Sequence, residues 1–357
     1  MRSWPDRRIL DLFGLEHPII QAPMAGPVTV EMVIAVAESG GLGSLACAML
    51  SVDQARADLT AIRRRTRRPI NVNFFVHQPP TVDAVREAAW RKRLAGYYLE
   101  LGLDPSAPLS PSTRTVFDDA MAEVVEEFRP EVVSFHFGLP ASDLVARVKT
   151  AGAKVISSAT SVDEACWLED RGCDAIIAQG VEAGGHRGLF LHRDIAMQTG
   201  TMALVPQVVE AVKVPVIAAG GLGDARGIVA ALALGASAVQ LGTAYLFCSE
   251  AKVSAPHRAA LRTARDNTTV LTNVFTGRPA RALVNRLVRE VGPMSELAPE
   301  FPLASGSVLP LRQKAEAAGS GDFSPLWAGQ SAALGRELPA GELTRRLAAE
   351  ALELLRR

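Results

Sequence analysis

Short apolar runs, many of them β-branched, alternate along the first two thirds of the chain with longer runs whose apolar positions recur every three to four residues. The first pattern suits strands buried on both faces, the second amphipathic helices that cover them. Strands are predicted at 18–23, 42–46, 70–74, 132–136, 154–157, 175–178, 214–218 and 238–241. Helices are predicted at 28–39, 52–65, 116–128, 142–151, 162–171, 202–212 and 225–234. Eight strands with seven intervening helices is the count of an α/β fold of the TIM (β/α)8 barrel type. A doubly wound open sheet shares the alternation, and the count alone does not separate the two. Gly41-Leu42-Gly43-Ser44-Leu45-Ala46 matches the dinucleotide fingerprint G-x-G-x-x-A, but it follows a helical run and itself reads as a strand, which is the wrong context.

Two segments break the alternation. Residues 76–113 hold a basic amphipathic stretch (Arg86, Arg91, Lys92, Arg93), then Tyr97 and Tyr98, then a loop with Pro105, Pro108 and Pro111. A loop after a barrel strand emerges on the active-site face, so this is expected to be an inserted lid segment there. Residues 247–325 are mixed in pattern, with a strand expected at 269–275, and are read as a smaller C-terminal lid or substrate subdomain. The expected organisation is thus a barrel over 1–246, that subdomain, and a segment 326–357 whose helix at 340–355 packs back on the barrel.

Charge and composition narrow the function. The 38 basic and 38 acidic side chains cancel, which argues against nucleic acid or an anionic membrane as the main partner. Aromatic residues make up 5% of the chain, too few to suggest a base-stacking platform. Cys47, Cys166, Cys173 and Cys248 form no C-x-x-C pair and read as small buried side chains in a reducing compartment. Residues 1–14 carry five charges and no apolar core of a signal peptide. The charge-free stretch 227–249 contains Gly235, Ser237, Gln240, Gly242 and Thr243, and fits a buried helix, turn and strand better than a membrane span. A soluble cytoplasmic protein is expected.

Glycines mark the chemistry. Ala219-Gly220-Gly221-Leu222-Gly223 follows the seventh strand, and Gln240-Leu241-Gly242-Thr243 ends the eighth. Glycines let backbone N–H groups approach an anion, and these two loops are where barrels commonly bind phosphate. Either turn alone could be only a tight βα connection; together they point to a phosphorylated ligand. After the sixth strand comes Gln179-Gly180-Val181-Glu182-Ala183-Gly184-Gly185-His186. His186 lies on what reads as a flexible loop at the barrel mouth and is the histidine best set for acid–base work. His136, at the end of the fourth strand, is either a second mouth residue or a satisfied rim histidine. No metal-ligand spacing and no G-x-S-x-G elbow is present, so one histidine beside a phosphate site suggests a cofactor that carries the chemistry.

The runs Ile19-Ile20-Gln21-Ala22-Pro23-Met24-Ala25-Gly26, Asn73-Phe74, Glu182-Ala183-Gly184-Gly185-His186-Arg187-Gly188, Ala219-Gly220-Gly221-Leu222 and Leu326-Trp327-Ala328-Gly329-Gln330 resemble the motifs of class I nitronate monooxygenases, formerly 2-nitropropane dioxygenases. The resemblance implies noncovalent FMN. Ala22, Pro23, Met24 and Asn73 would lie by the flavin, with Gln179, Gly184 and Gly185 in contact. Gly220, Gly221, Gln240, Leu241, Gly242 and Thr243 would hold ring or phosphate. His186 matches the family's catalytic histidine, the base that removes the α-proton of a neutral nitroalkane. The implied reaction turns an alkyl nitronate and O2 into a carbonyl compound and nitrite. FMN-dependent reductases of enoyl thioesters or quinones share much of the pattern and stay as the alternative; a flavin-binding module without catalysis is disfavoured by the intact His186 loop. The lid differs from the family's in having few tyrosines, Tyr97, Tyr98 and Tyr245 being all there are, and Lys314 reads as a solvated side chain. Substrate identity and oligomeric state, a homodimer included, stay open.

Overall fold

The structure, a computed structural model, describes residues 4–109 and 114–356. Its first nine strands are β1 (Ile19–Gln21), β2 (Gly43–Ala46), β3 (Ile70–Phe75), β4 (Val132–His136), β5 (Lys154–Ala159), β6 (Ala175–Gln179), β7 (Gly185–His186), β8 (Val216–Ala219) and β9 (Ala238–Leu241). All but β7 form one parallel sheet in the order β1-β9-β8-β6-β5-β4-β3-β2. A parallel bridge between Ile20 and Leu42 joins β1 to the start of β2 and closes the barrel. Each of the eight predicted strands is there. The 41–46 run dismissed as a nucleotide fingerprint leads into and forms β2, where a Cβ on Gly43 would overlap the Val33 carbonyl.

The helices begin with α1 (Arg8–Phe13), α2 (Val30–Glu38), α3 (Val52–Arg65), α4 (Ala84–Glu100), α5 (Asp119–Phe128), α6 (Ser142–Thr150) and α7 (Val162–Asp170). They continue with α8 (Thr201–Ala211), α9 (Ala225–Ala233), α10 (Thr243–Leu246), α11 (Ala255–Arg262), α12 (Arg286–Val291), α13 (Ala304–Ala317) and α14 (Ala340–Leu354). Side-chain caps fix several starts: Thr29, Asp118, Ser161 and Asp224 accept from first-turn N–H groups, and Ser51 with Gln54 forms a capping box. The 227–249 stretch divides among α9, β9 and α10, and no helix among the described residues is long and apolar enough to cross a membrane. Helix α14 packs against α2 and α9, on the outside of the barrel.

The two irregular segments meet each other. From α4 come Trp90, Leu94, Tyr97 and Tyr98; from the later segment come Phe275, Leu287, Val308, Leu311 and Phe323, among others, and all share one buried cluster separate from the barrel core. Beside it lies a small antiparallel sheet, in the order β10-β11-β7, of β10 (Thr269–Thr272), β11 (Ala280–Leu283) and β7. Strand β11 was missed because four residues with a central arginine carry no clear period. The run around Trp327 lies along β11, bridging Ala282, with Leu283 N–H donating to the Leu326 carbonyl at 2.8 Å. The end of the Pro-rich loop, including Pro111, lies outside the described residues.

Candidate active site

The C-terminal ends of the barrel strands surround one cavity, into which the glycine-rich turns and the run at 327–331 also project. Of the residues singled out from sequence, Ala22, Pro23, Met24, Asn73, Gln179, Gly184, Gly185, His186, Gly220, Gly221, Gln240, Gly242 and Thr243 line it. Leu241 does not. It is a buried member of the barrel core, and only its carbonyl reaches toward this end, accepting from Ala22 N–H at 2.8 Å. Neighbouring strand residues point to opposite faces, so Gln240 and Leu241 cannot both face the mouth.

The His186 loop is not flexible. Gly185 and His186 pair with Arg281 and Ala280 as β7, and the His186 carbonyl accepts from Gln179 Nε2 at 3.1 Å and from His136 Nε2 at 3.2 Å. Gln179 Oε1 accepts from Gly188 N–H at 2.8 Å, so both ends of this amide hold the loop. Arg187 is fully buried and donates to the Gln179 and Gly180 carbonyls at 2.7 and 2.6 Å. The glycines serve conformation and close approach instead. Gly185 has φ +73, and a Cβ on Gly184 would stand 2.5 Å from Gly329 N and 2.6 Å from the Ala328 carbonyl carbon. Glu182 does not partner His186 either; its carboxylate accepts from Thr201 N–H and Oγ1 at the start of α8, which has no side-chain cap of its own.

His136 both lines the cavity and has its two ring nitrogens satisfied. A carbonyl can only accept, so its Nε2 carries the proton and Nδ1 accepts from Ser158 Oγ at 3.1 Å. Burial, then the Arg278 charge, pushes its pKa down to about 3. His186 is likewise held well below the ordinary histidine value, by burial first and then by Arg114, His136, Arg278 and His77. Its ring exposes surface, but that surface is the cavity's, and around it stand Phe301 at 5.2 Å and Trp327 at 5.4 Å between centroids. Its Nε2 is 3.0 Å from Thr276 Oγ1. Phe137 holds φ +77, uncommon for a bulky residue, and its ring carries the Arg278 guanidinium at 3.7 Å. Among the described lining residues Arg114 is the one full cation, and no Asp or Glu is present. The described wall is neutral or positive.

The depressed histidines bear on acid stability. His77 and His257 are both pushed to about 4, chiefly by burial, alongside His136 at about 3. An unfolded chain protonates these groups near 6.5, before the native one does. The contribution of these neutral rings to stability is therefore fully present above that pH and is lost progressively as pH drops from about 6.5 toward 4. Urea midpoints measured from pH 7.5 to 5 should show the decline; a flat profile would mean that these rings are solvated.

Sequence reasoning missed Arg114, Thr276 and the neighbours Ser134 and Ser158, none of which carries a local signal. All three tyrosines are structural: Tyr97 donates to Glu290, Tyr98 to the Ser307 carbonyl, and Tyr245 pairs with Thr344. Lys314 is exposed on α13.

Comparison with known proteins places this chain in a family. The nitronate monooxygenase family matches the chain over residues 6–350. This chain belongs to the nitronate monooxygenase family. It is therefore an oxidoreductase, and 42% identical to the nitronate monooxygenase of Pseudomonas aeruginosa over 345 residues, 96% of this chain and 98% of that protein. A nitronate monooxygenase of Paraburkholderia phytofirmans is also 42% identical, covering 96% and 94%. Among solved structures, a nitroalkane oxidase from Streptomyces ansochromogenes superimposes with a TM-score of 0.89 at 40% identity, covering 98% of this chain and 99% of that one. FabK from Thermotoga maritima superimposes at 0.76 with 29% identity, covering 99% and 98%.

Proposed function

We propose that the chain binds FMN in this cavity and oxidises alkyl nitronates with O2 to a carbonyl compound and nitrite. The observation that carries the reading is that the described wall around a neutral His186 has no acidic side chain and includes Arg114, which favours a small anionic substrate.

The cavity suits the cofactor. Gln240 Oε1 is buried there without a hydrogen-bond partner among the described residues, leaving an amide for a ligand to satisfy. The N–H groups of Gly221, Leu222, Gly223, Gly242 and Thr243 make no hydrogen bond within the described residues, and they lie on the two loops that would take a single phosphate. Ala22, Met24, Asn73 and Gly185 would border the ring. Bound here, FMN would supply the electron acceptor that oxidises the nitronate and then reacts with O2. The protein should release FMN and not FAD on denaturation; FAD would overturn the phosphate assignment. A Cβ on Gly242 would meet Ala22 Cβ at 3.5 Å and Met24 Sδ at 3.7 Å, ordinary contacts. Gly242→Ala should therefore leave the unfolding midpoint of the cofactor-free protein unchanged and weaken FMN binding by titration. Unaltered binding would make Gly242 a turn residue only.

His186 adds a second capability. A nitronate is already ionised and needs no base; a neutral nitroalkane needs its α-proton taken by the neutral imidazole. The surroundings that keep His186 neutral also make it a weak base, so nitronates should be the better substrates. For a nitroalkane, kcat/KM should be independent of this base from neutral pH down to well below 6.5 and fall only when the free imidazole protonates. A limb centred at 6.5 would contradict the buried setting.

Anaerobic mixing tests the reaction itself. A nitronate should bleach the flavin and NADH or NADPH should not; the reverse would assign the site to a reductase.

A further inference from the structure

The hairpin between β10 and β11 ends against the ring of His186. Thr276, nearly buried at its tip, brings Oγ1 to 3.0 Å from His186 Nε2 and to 3.4 Å from the Arg278 carbonyl. The tip is held from several sides. Gly277 N–H donates to the Asn273 carbonyl at 2.8 Å, and Asn273 exchanges two 2.9 Å hydrogen bonds with Ser295. Gly277 has φ +87, and a Cβ there would overlap the Pro299 carbonyl, so the tip is packed against the 299–301 backbone as well. On the other side, β7 pairs with β11 of the same hairpin, Ala280 opposite His186. Backbone and side chain of His186 are therefore both referenced to one element.

A hydroxyl has one proton to give. The Arg278 carbonyl can only accept, and Thr276 is its sole hydrogen-bond donor among the described residues. If the hydroxyl proton serves that otherwise undonated carbonyl at 3.4 Å, Oγ1 meets His186 through a lone pair across the 3.0 Å contact, and Nε2 is the protonated nitrogen. Nδ1, which has no hydrogen bond among the described residues, then carries the lone pair.

We propose that Thr276 is a positioning residue that fixes His186 as the Nε2–H tautomer, so that Nδ1 is the atom that accepts the α-proton of a neutral nitroalkane. The inference rests on the nitronate monooxygenase reading of the site. In the step, the C–H bond breaks, its electron pair moves into the nitro group to give the nitronate, and the proton goes to Nδ1. The resulting imidazolium keeps its Nε2–H on Thr276 Oγ1, so the ring does not turn as it charges. The chain's own contribution is a donor–acceptor order, Nε2–H to Oγ1–H to carbonyl, set before substrate arrives.

Two measurements test this on the full-length protein with its cofactor. Nitrogen-15 NMR of histidine-labelled protein, with the His186 signals assigned by their loss in His186→Asn, should give a protonated-type Nε2 and an unprotonated-type Nδ1. Thr276→Val, which keeps the shape but not the hydroxyl, should mix or reverse these signals, and Thr276→Ser should restore them. Turnover should follow. Thr276→Val should lose about tenfold in kcat/KM on a neutral nitroalkane, the scale of one hydrogen bond, lose far less on a pre-ionised nitronate, and be rescued by serine. A protonated Nδ1 in the wild type, or equal losses on both substrates, would overturn the proposal while leaving the family reading intact. Failure of the wild type to turn over any nitronate would overturn that reading, and the NMR signals would still decide the tautomer.

Discussion

Replacing His186 by asparagine should cut turnover of a neutral nitroalkane by about 10²–10⁴-fold, the usual contribution of general-base catalysis, while turnover of the corresponding nitronate survives. Asparagine keeps a polar side chain of similar reach but cannot take a proton at neutral pH. Its backbone can still accept from Gln179 and His136 and pair with β11, so the loop should stay in place and flavin content should be unchanged. Steady-state rates on nitroalkane and pre-ionised nitronate, each normalised to bound flavin, separate the two steps. Equal losses on both would make His186 a substrate- or flavin-positioning group and remove the base from the scheme.

The second large effect is expected at Gly184. Valine there would drive its Cβ into Gly329 N and the Ala328 carbonyl carbon, both backbone atoms that cannot swing aside. That run is fixed in turn by Gly329 N–H on Thr243 Oγ1 at 2.8 Å and Gln330 N–H on the Glu182 carbonyl at 3.0 Å. Overpacking of this kind costs about 1–3 kcal/mol and occasionally more, and here it would also separate two walls of the cofactor cavity. Gly184→Val should lower the urea midpoint and lose its flavin. Gly185→Ala is the control for the urea midpoint of the cofactor-free protein: its Cβ would meet no protein atom within 4 Å, so the strain of φ +73 is all it adds there. If both variants behave alike, close approach is not what Gly184 provides.

The barrel could be read from the chain because a strand buried on both faces and its covering helix each impose a period that survives in a few residues. The second core could not. It joins Trp90 and Leu94 to Val308 and Leu311, positions far apart in sequence, and no local window contains both sides of such a contact. Strand β7 is two residues long and half glycine, so it had no period to detect. In the site, residues at strand ends were legible by location: Asn73, Gln179 and Gln240 all line the cavity. What they do there was not. Nothing local distinguishes Gln240, whose amide oxygen has no partner among the described residues, from Gln179, whose amide is used at both ends. Thr276 was invisible for a different reason: its importance comes entirely from the ring that another strand brings beside it.

The absence of acidic side chains from the described cavity wall has a consequence at the end of the catalytic cycle. Nitrite leaves as an anion, and the field that draws an anionic nitronate inward holds it back. Added salt screens both journeys, so rising ionic strength should raise KM and, where product departure limits turnover, raise kcat too. Small inert anions would then act as competitive occupants of the cavity, and the enzyme would run best where nitrite does not accumulate.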